Sequence, residues 1–169
     1  MVEEISAEQA RIAEEAAGVL QTLLDLMEVP ASISVSAGFP VEGLEGIGDC
    51  VTLDINGEEL GILIGRRGQT LATLQYVVRL VTSHKIQTTL PIVVDVEGYK
   101  RRRCDSLRAL AWRMAEQVIA RKVPFTLEPM PAFERRVIHL ALSDHPEVTT
   151  ESTGAGEERK VVILPRAFK

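Results

Sequence analysis

Apolar positions along this chain recur with two periods, and the switches between them outline the fold. Over residues 7–28, Ala10, Ala13, Ala17, Leu20, Leu24 and Met27 return at three- and four-residue spacing, the period of an amphipathic helix. Ser6 stands at its N-cap, Gln9 three residues on completes a capping box, and Pro30 ends it. The period then drops to two. Ile33-Ser34-Val35 predicts one strand and Cys50 to Ile55 another, with Val51, Leu53 and Ile55 on one face. A glycine-rich acidic loop, residues 38–48, separates them, and Asn56-Gly57 marks a turn. The short apolar run Gly61 to Ile64 leads into Gly65-Arg66-Arg67-Gly68. A helix follows from Gln69 to about Ser83, with Leu71, Leu74, Val78 and Val81 inward. Pro91 to Val96 alternates as a strand, and Gly98 breaks it.

The second half repeats the alternation of periods. Residues 99–122 predict a long helix buried along Leu107, Leu110, Ala111, Met114 and Val118. Its polar surface carries Lys100, Arg101, Arg102, Arg103, Arg108, Arg113 and Arg121. Pro124 ends it, and Phe125 to Leu127 is a candidate short strand. Pro131 opens a helix over 132–142, as proline suits a first helical turn. Val148–Thr150 and Lys160–Leu164 predict a closing strand pair around Gly154-Ala155-Gly156. The fold class expected is α+β in two small domains, 5–97 with the order αββααβ and 98–165 with helices on a small antiparallel sheet.

Composition fits this picture. The chain has 169 residues, 46% hydrophobic and 25% charged, values ordinary for a globular protein. No stretch of about 18 apolar residues is present, so no membrane span is expected. The acidic start Met1-Val2-Glu3-Glu4 is unlike a secretory signal, and a cytoplasmic location is expected. Cys50 and Cys104 form no Cys-x-x-Cys pair, which suits a reducing compartment; a single disulfide between them stays open on sequence grounds. The net charge of −5 argues against a polyanionic partner, but its distribution reverses that impression. Residues 61–136 hold 14 of the 19 Lys and Arg residues against 6 acids, a local +8, while residues 1–28 hold seven acids and one Arg. Such a chain can offer a basic face while staying soluble. On charge alone a solvated surface is the preferred reading, since charge runs usually lie on solvated faces.

The loop Gly65-Arg66-Arg67-Gly68 adds chemistry. Gly-x-x-Gly by itself is a common helix–helix turn. Here both central residues are Arg and an amphipathic helix follows at once. Glycines let a sugar-phosphate chain approach the backbone, amides at a helix start attract phosphate oxygens, and the two guanidinium groups add charge-assisted hydrogen bonds. Such contacts grip a backbone without reading bases. Enzyme motifs are missing: the glycines do not make Gly-x-Gly-x-x-Gly, no phosphate-binding Gly-x-x-x-x-Gly-Lys-Ser/Thr exists, and the adjacent Ser143, Asp144 and His145 do not make a triad. The three His and two Cys residues lack zinc spacing, so no metal, no cofactor and no enzymatic activity is expected. Aromatics are scarce at 4%; Trp112, beside the apolar stripe of the long helix, is expected in the core, leaving little binding from base stacking.

Residues 5–97, with this element order and loop, resemble a KH domain of type II. The resemblance implies that Gly65, Arg66, Arg67 and Gly68 clamp about four nucleotides of single strand. Ile64, Leu71 and Ala72 become candidates for an apolar base groove; core packing competes for all three and is preferred for Leu71. In the second half, Arg135 and His139 lie one helical turn apart. They sit within Glu134 to Leu142, followed by Ser143-Asp144-His145-Pro146, Thr149-Thr150-Glu151-Ser152, Gly154-x-Gly156 and Arg159-Lys160-Val161-Val162-Ile163. Residues 99–165 so resemble the single-stranded nucleic-acid-binding domain named for its Arg-x-x-x-His motif. That resemblance implies phosphate contacts from Arg135, Arg159 and Lys160 and a hydrogen bond to phosphate or base from His139; Arg136 is expected toward solvent or a nearby acid, and His145 in a turn.

The two domains in this order, with Gly65 to Leu71 and Leu74-Gln75-Tyr76, resemble the bacterial Jag (KhpB) family of RNA-binding proteins. The resemblance implies a single-stranded RNA partner, with single-stranded DNA left open, and a post-transcriptional or RNA-chaperone role linked to cell shape. It suggests the small single-KH protein KhpA as partner. Many members carry a further N-terminal domain and linker, for which the sequence shows no counterpart, so roles resting on that segment are not carried over. Two other readings stand beside it: a protein–protein adaptor with vestigial RNA binding, and a nuclease or nuclease accessory.

Overall fold

The computed structural model describes residues 6–38, 50–87 and 91–166; of the expected acidic loop at 38–48, all but Gly38 lies outside them. The chain divides into two compact units, Met1–Arg101 and Arg102–Lys169. The first runs α1 (Ala7–Leu26), β1 (Ser32–Ala37), β2 (Val51–Asn56), α2 (Gly61–Ile64), a 3-10 turn (Arg66–Gly68), α3 (Gln69–Ile86) and β3 (Ile92–Val96). Its sheet has the order β1-β2-β3, with β1 antiparallel and β3 parallel to β2. Parallel neighbours need a long crossover, and the α2–loop–α3 segment supplies it. The Gly-x-x-Gly loop therefore sits inside the crossover that joins the parallel pair β2 and β3.

Helix α1 starts as its sequence predicts: Ser6 Oγ accepts from Gln9 N at 3.2 Å, and Ser6 N donates to Gln9 Oε1 at 2.7 Å. Its buried face is rotated from the expected one. Ile12, Ala13, Ala16, Val19, Leu20 and Leu24 are buried, whereas Ala10 is exposed and Met27 is 45% exposed. Ile12 and Val19 offer more apolar area than alanines, and burial scales with that area. On α3, Leu71, Leu74 and Val78 face inward as expected, but Thr82 replaces Val81. These side chains close the core on Val51, Leu53 and Ile55 of β2 and on Ile92, Val94 and Val96 of β3.

Helix α4 (Tyr99–Arg121) begins in the last residues of the first unit. The second unit continues with β4 (Phe125–Thr126), α5 (Ala132–Ala141), β5 (Val148–Thr153), a 3-10 turn (Gly156–Glu158) and β6 (Lys160–Pro165). Its sheet is antiparallel in the order β4-β6-β5, and α5 packs on β5 and β6. Helix α4 buries Cys104, Leu107, Ala111, Ala115 and Val118, with Leu110 and Met114 only half-buried. Residues directly opposed across a ladder share a sheet face. Thus Val148/Pro165, Thr150/Ile163 and Ser152/Val161 lie on one face and Thr149/Leu164, Glu151/Val162 and Thr153/Lys160 on the other. The first face carries the core, as Val148, Val161 and Ile163 are fully buried. Cys50 and Cys104 are buried thiols without a disulfide. Among the described residues no helix is long and apolar enough to cross a membrane.

Candidate nucleic-acid interface

The Gly65–Gly68 loop is built by backbone conformations that end one helix and start another. Gly65 has φ 68° and ψ −172°, Arg67 has φ 55° and ψ 33°, and Gly68 has φ 76° and ψ 12°. The first is a region essentially confined to glycine. The other two are left-handed helical, which Arg67 tolerates at modest cost. Gly65 N donates to Gly61 O at 3.0 Å and closes α2. Gly68 is the N-cap of α3, and no side chain caps that helix. Arg66 is exposed and Arg67 half-buried at this uncapped helix start, which favours negative charge.

The glycines have a reason that sequence reasoning did not supply. A β-carbon on Gly65 would run into Thr70 Oγ1 and lie 2.7 Å from Thr70 Cβ. A β-carbon on Gly68 would lie 3.1 Å from Tyr99 Cε1 and 3.2 Å from the Tyr99 hydroxyl oxygen. The space in those directions is filled by the protein, so the glycines permit internal packing there. Tyr99 is fixed in turn by the start of α4. Asp95 Oδ1 accepts from Val96 N at 2.9 Å and from Lys100 N at 3.1 Å. Lys100 Nζ donates to Gln75 Oε1 at 2.6 Å, and the same oxygen accepts from Val94 N at 3.1 Å. Burial raises the Asp95 pKa above its ordinary value, opposed by those two backbone donors. Of the groove candidates, Ile64 is half-buried against the core, Ala72 is exposed, and Leu71 is a core residue at 2% exposure.

The second cluster forms where α5 faces β5. His139 Nδ1 lies 2.7 Å from Thr150 Oγ1, and Nε2 lies 2.8 Å from Ser152 Oγ. Alternation along a strand puts residues 150 and 152 on one face, so one ring bridges both hydroxyls. A neutral imidazole has one donor and one acceptor nitrogen, and a hydroxyl serves either. Arg135 Nε donates to Met130 O at 3.3 Å, and Met130 N donates to Arg159 O at 3.2 Å. Burial, then the charge of Arg135, then that of Arg159 lower the His139 pKa below its ordinary 6.5. The ring is therefore neutral at pH 7, beside two cations. Lys160 does not join it: the β5–β6 register places it opposite Thr153, on the other sheet face from Thr150 and Ser152. Arg136 is exposed.

A pH dependence follows. The unfolded chain takes up a proton on this histidine near pH 6.5 and the folded chain only at lower pH. The stability held by the neutral ring is thus fully present above about 6.5 and is lost as pH falls through the lowered folded value. Denaturant unfolding across that range should show the parent losing stability relative to His139→Gln. Parallel pH profiles for the two proteins would contradict this.

Helix α5 is anchored by a second feature missed from sequence. Arg103 Nε and Nη2 donate to the two carboxylate oxygens of Glu134 at 2.7 and 2.9 Å. The Glu134 side chain is 5% exposed. The signal available was an acid in the first turn of a helix otherwise buried on Val137 and Ile138. Trp112 also differs from expectation: it is 49% exposed, and its ring meets that of His145 with centroids 5.1 Å apart. The buried stripe of α4, Cys104, Leu107, Ala111, Ala115 and Val118, centres on Ala111, and Trp112 lies one position, about 100°, round the helix from it. His145 lies in the turn after α5, its N donating to Leu142 O at 3.2 Å.

Comparison with known proteins matches this division. The profile of the KhpA/KhpB KH domain matches residues 17–94, and that of the Arg-x-x-x-His domain matches residues 105–165. The chain is 36% identical over 144 residues to the RNA-binding protein KhpB of Clostridium symbiosum, covering 85% of this chain and 62% of that protein. It is 36% identical over 165 residues to the RNA-binding protein KhpB of Lactiplantibacillus plantarum, covering 96% of this chain and 49% of the relative. The RNA-binding protein KhpB of Bacillus subtilis is 39% identical over 115 residues, 67% of this chain and 55% of the relative. The chain thus spans about half to three-fifths of the length of these relatives. With a KhpA/KhpB-type KH domain followed by an Arg-x-x-x-His domain, it belongs to the KhpB family.

Proposed function

We propose that this chain binds single-stranded RNA by holding its sugar-phosphate backbone at two places. One is the Gly65-Arg66-Arg67-Gly68 loop; the other is the cluster of Arg135, His139 and Arg159. The observation that carries the reading is the loop: two arginines at the start of a long helix whose first amides no side chain caps. The element order, with β3 parallel to β2, supports a type II KH assignment for residues 5–97, and an Arg-x-x-x-His domain then occupies 98–165. The relatives' description as RNA-binding proteins agrees. Ile64 and Ala72 flank the loop as the nearest base contacts. Lys160, on the opposite sheet face, is left out of the second grip. In the cell this activity fits a cytoplasmic post-transcriptional regulator or RNA chaperone, with the single-KH protein KhpA as partner.

The test is Arg66→Asp/Arg67→Asp. Neither residue belongs to the buried core, so the variant should stay folded while its affinity for a short single-stranded RNA falls by about tenfold or more, the scale of losing charge-assisted contacts. Unchanged affinity in the folded variant would remove the loop from the interface. An adaptor reading draws on exposed apolar side chains of α3, Tyr76 and Leu80, 64% and 56% exposed. It predicts a protein partner that survives nuclease treatment and no RNA binding.

A further inference from the structure

Trp112 is the sole tryptophan of the chain and stands half exposed on α4. It is braced from below. The ring rests on His145, which is 8% exposed and whose Nδ1 accepts from Glu147 N at 3.2 Å. His145 is thereby locked in its turn, and Trp112 rests on a fixed support. Its exposed neighbours along the helix are Ala109, Arg113 and Glu116, none of them a large apolar side chain. One turn before it, Arg108 pairs with Asp105 at 3.1 Å. Helix α4 carries seven basic residues against two acids.

A docking face for an apolar protein surface is a contiguous patch. Trp112 is instead one flat ring with a single exposed cation, Arg113, next to it in the chain, a combination that can receive a base on its face and a phosphate beside it. We propose that Trp112 is a stacking platform for a nucleobase of the bound strand, with Arg113 as the adjacent phosphate contact. This rests on the single-stranded RNA reading above and adds a base contact to a grip otherwise made to the backbone. His145 is the positioning residue that holds the ring.

Because no other tryptophan is present, intrinsic fluorescence reports on this ring alone. The full chain is titrated into a labelled oligouridine while anisotropy and tryptophan emission are read together, and the titration is repeated with a strand of abasic residues. Emission should fall and saturate in step with anisotropy for oligouridine and stay level for the abasic strand. Trp112→Ala should weaken oligouridine binding about fivefold or more, the lower end of a stacking contact, and leave the abasic strand unaffected. Trp112→Phe, which keeps a ring in the same packing, should recover part of the loss and guards against misfolding of the alanine variant. Rising anisotropy with level emission, or equal affinity of parent and both variants, overturns the platform and leaves the RNA reading intact. An equal fall in emission with both strands assigns the signal to charge and overturns it too. No anisotropy change at all overturns the RNA reading and the platform together.

Discussion

Gly65→Ala is expected to destabilise the first unit by about 3 kcal/mol and to abolish the RNA grip proposed for the loop, a backbone penalty of about 1–3 kcal/mol compounded by overpacking. The conformation at φ 68° and ψ −172° has no relaxed counterpart for alanine. The added carbon also meets Thr70, and the conflict includes Thr70 Cβ at 2.7 Å and Thr70 N at 3.1 Å, neither of which a rotamer change can move. Removing the hydroxyl by Thr70→Ala should therefore fail to rescue. Gly68→Ala provides the contrast. Its φ of 76° and ψ of 12° are left-handed helical, which costs other residues about 1–2 kcal/mol, and the obstructing atoms belong to one Tyr99 ring edge. Chemical denaturation should rank Gly65→Ala well below Gly68→Ala in stability. Equal losses would show that the crowding at Thr70 adds nothing to the cost of the backbone conformation.

Glu134→Ala should cost about 3 kcal/mol or more, because deleting one partner of a buried ion pair strands the other. The carboxylate is nearly enclosed, and the Arg103 side chain it receives is 28% exposed. Glu134→Gln keeps one acceptor oxygen for the guanidinium fork and should lose markedly less. Since Glu134 precedes Arg135 and lies in the same helix as His139, loosening its anchor should also release His139 from Thr150 and Ser152. Thermal melts of the two variants test the ranking. A Glu134→Ala protein as stable as its parent would show that the bidentate pair contributes little.

Local patterns were legible where local chemistry decides the outcome. The Ser6–Gln9 capping box, the break of helix at Gly65 and the alternation of β2 each depend on neighbours within a few residues. The facing of α1 was not legible, because a helix rich in alanine offers several weak stripes, and only packing against α3 and the sheet selects the one with Ile12 and Val19. Trp112 differs for a related reason: it sits about 100° round the helix from Ala111 at the centre of the buried stripe, and periodicity does not say how wide the covered face is. Within the site, Arg135 and His139 could be read as one face of one helix, whereas the partners of His139 come from a strand 11 and 13 residues on. The separation of Lys160 from Arg159 follows from strand register, which alternation could have given once Thr150 and Ser152 were matched to Ile163 and Val161. The crowding at Gly65 and Gly68 lay beyond sequence reading at the second glycine, since Tyr99 arrives there from the far side of β3.

The central claim is that two separate backbone contacts hold one strand of RNA. A double-mutant cycle of Arg66→Asp/Arg67→Asp and Arg135→Ala measures it, with the affinity for a single-stranded RNA long enough to reach both clusters read by anisotropy over a range of salt. Each change should weaken binding, each should flatten the salt dependence as phosphate contacts are lost, and the combined protein should lose more than either. Binding that ignores salt, or that survives all three substitutions in a folded chain, would contradict it.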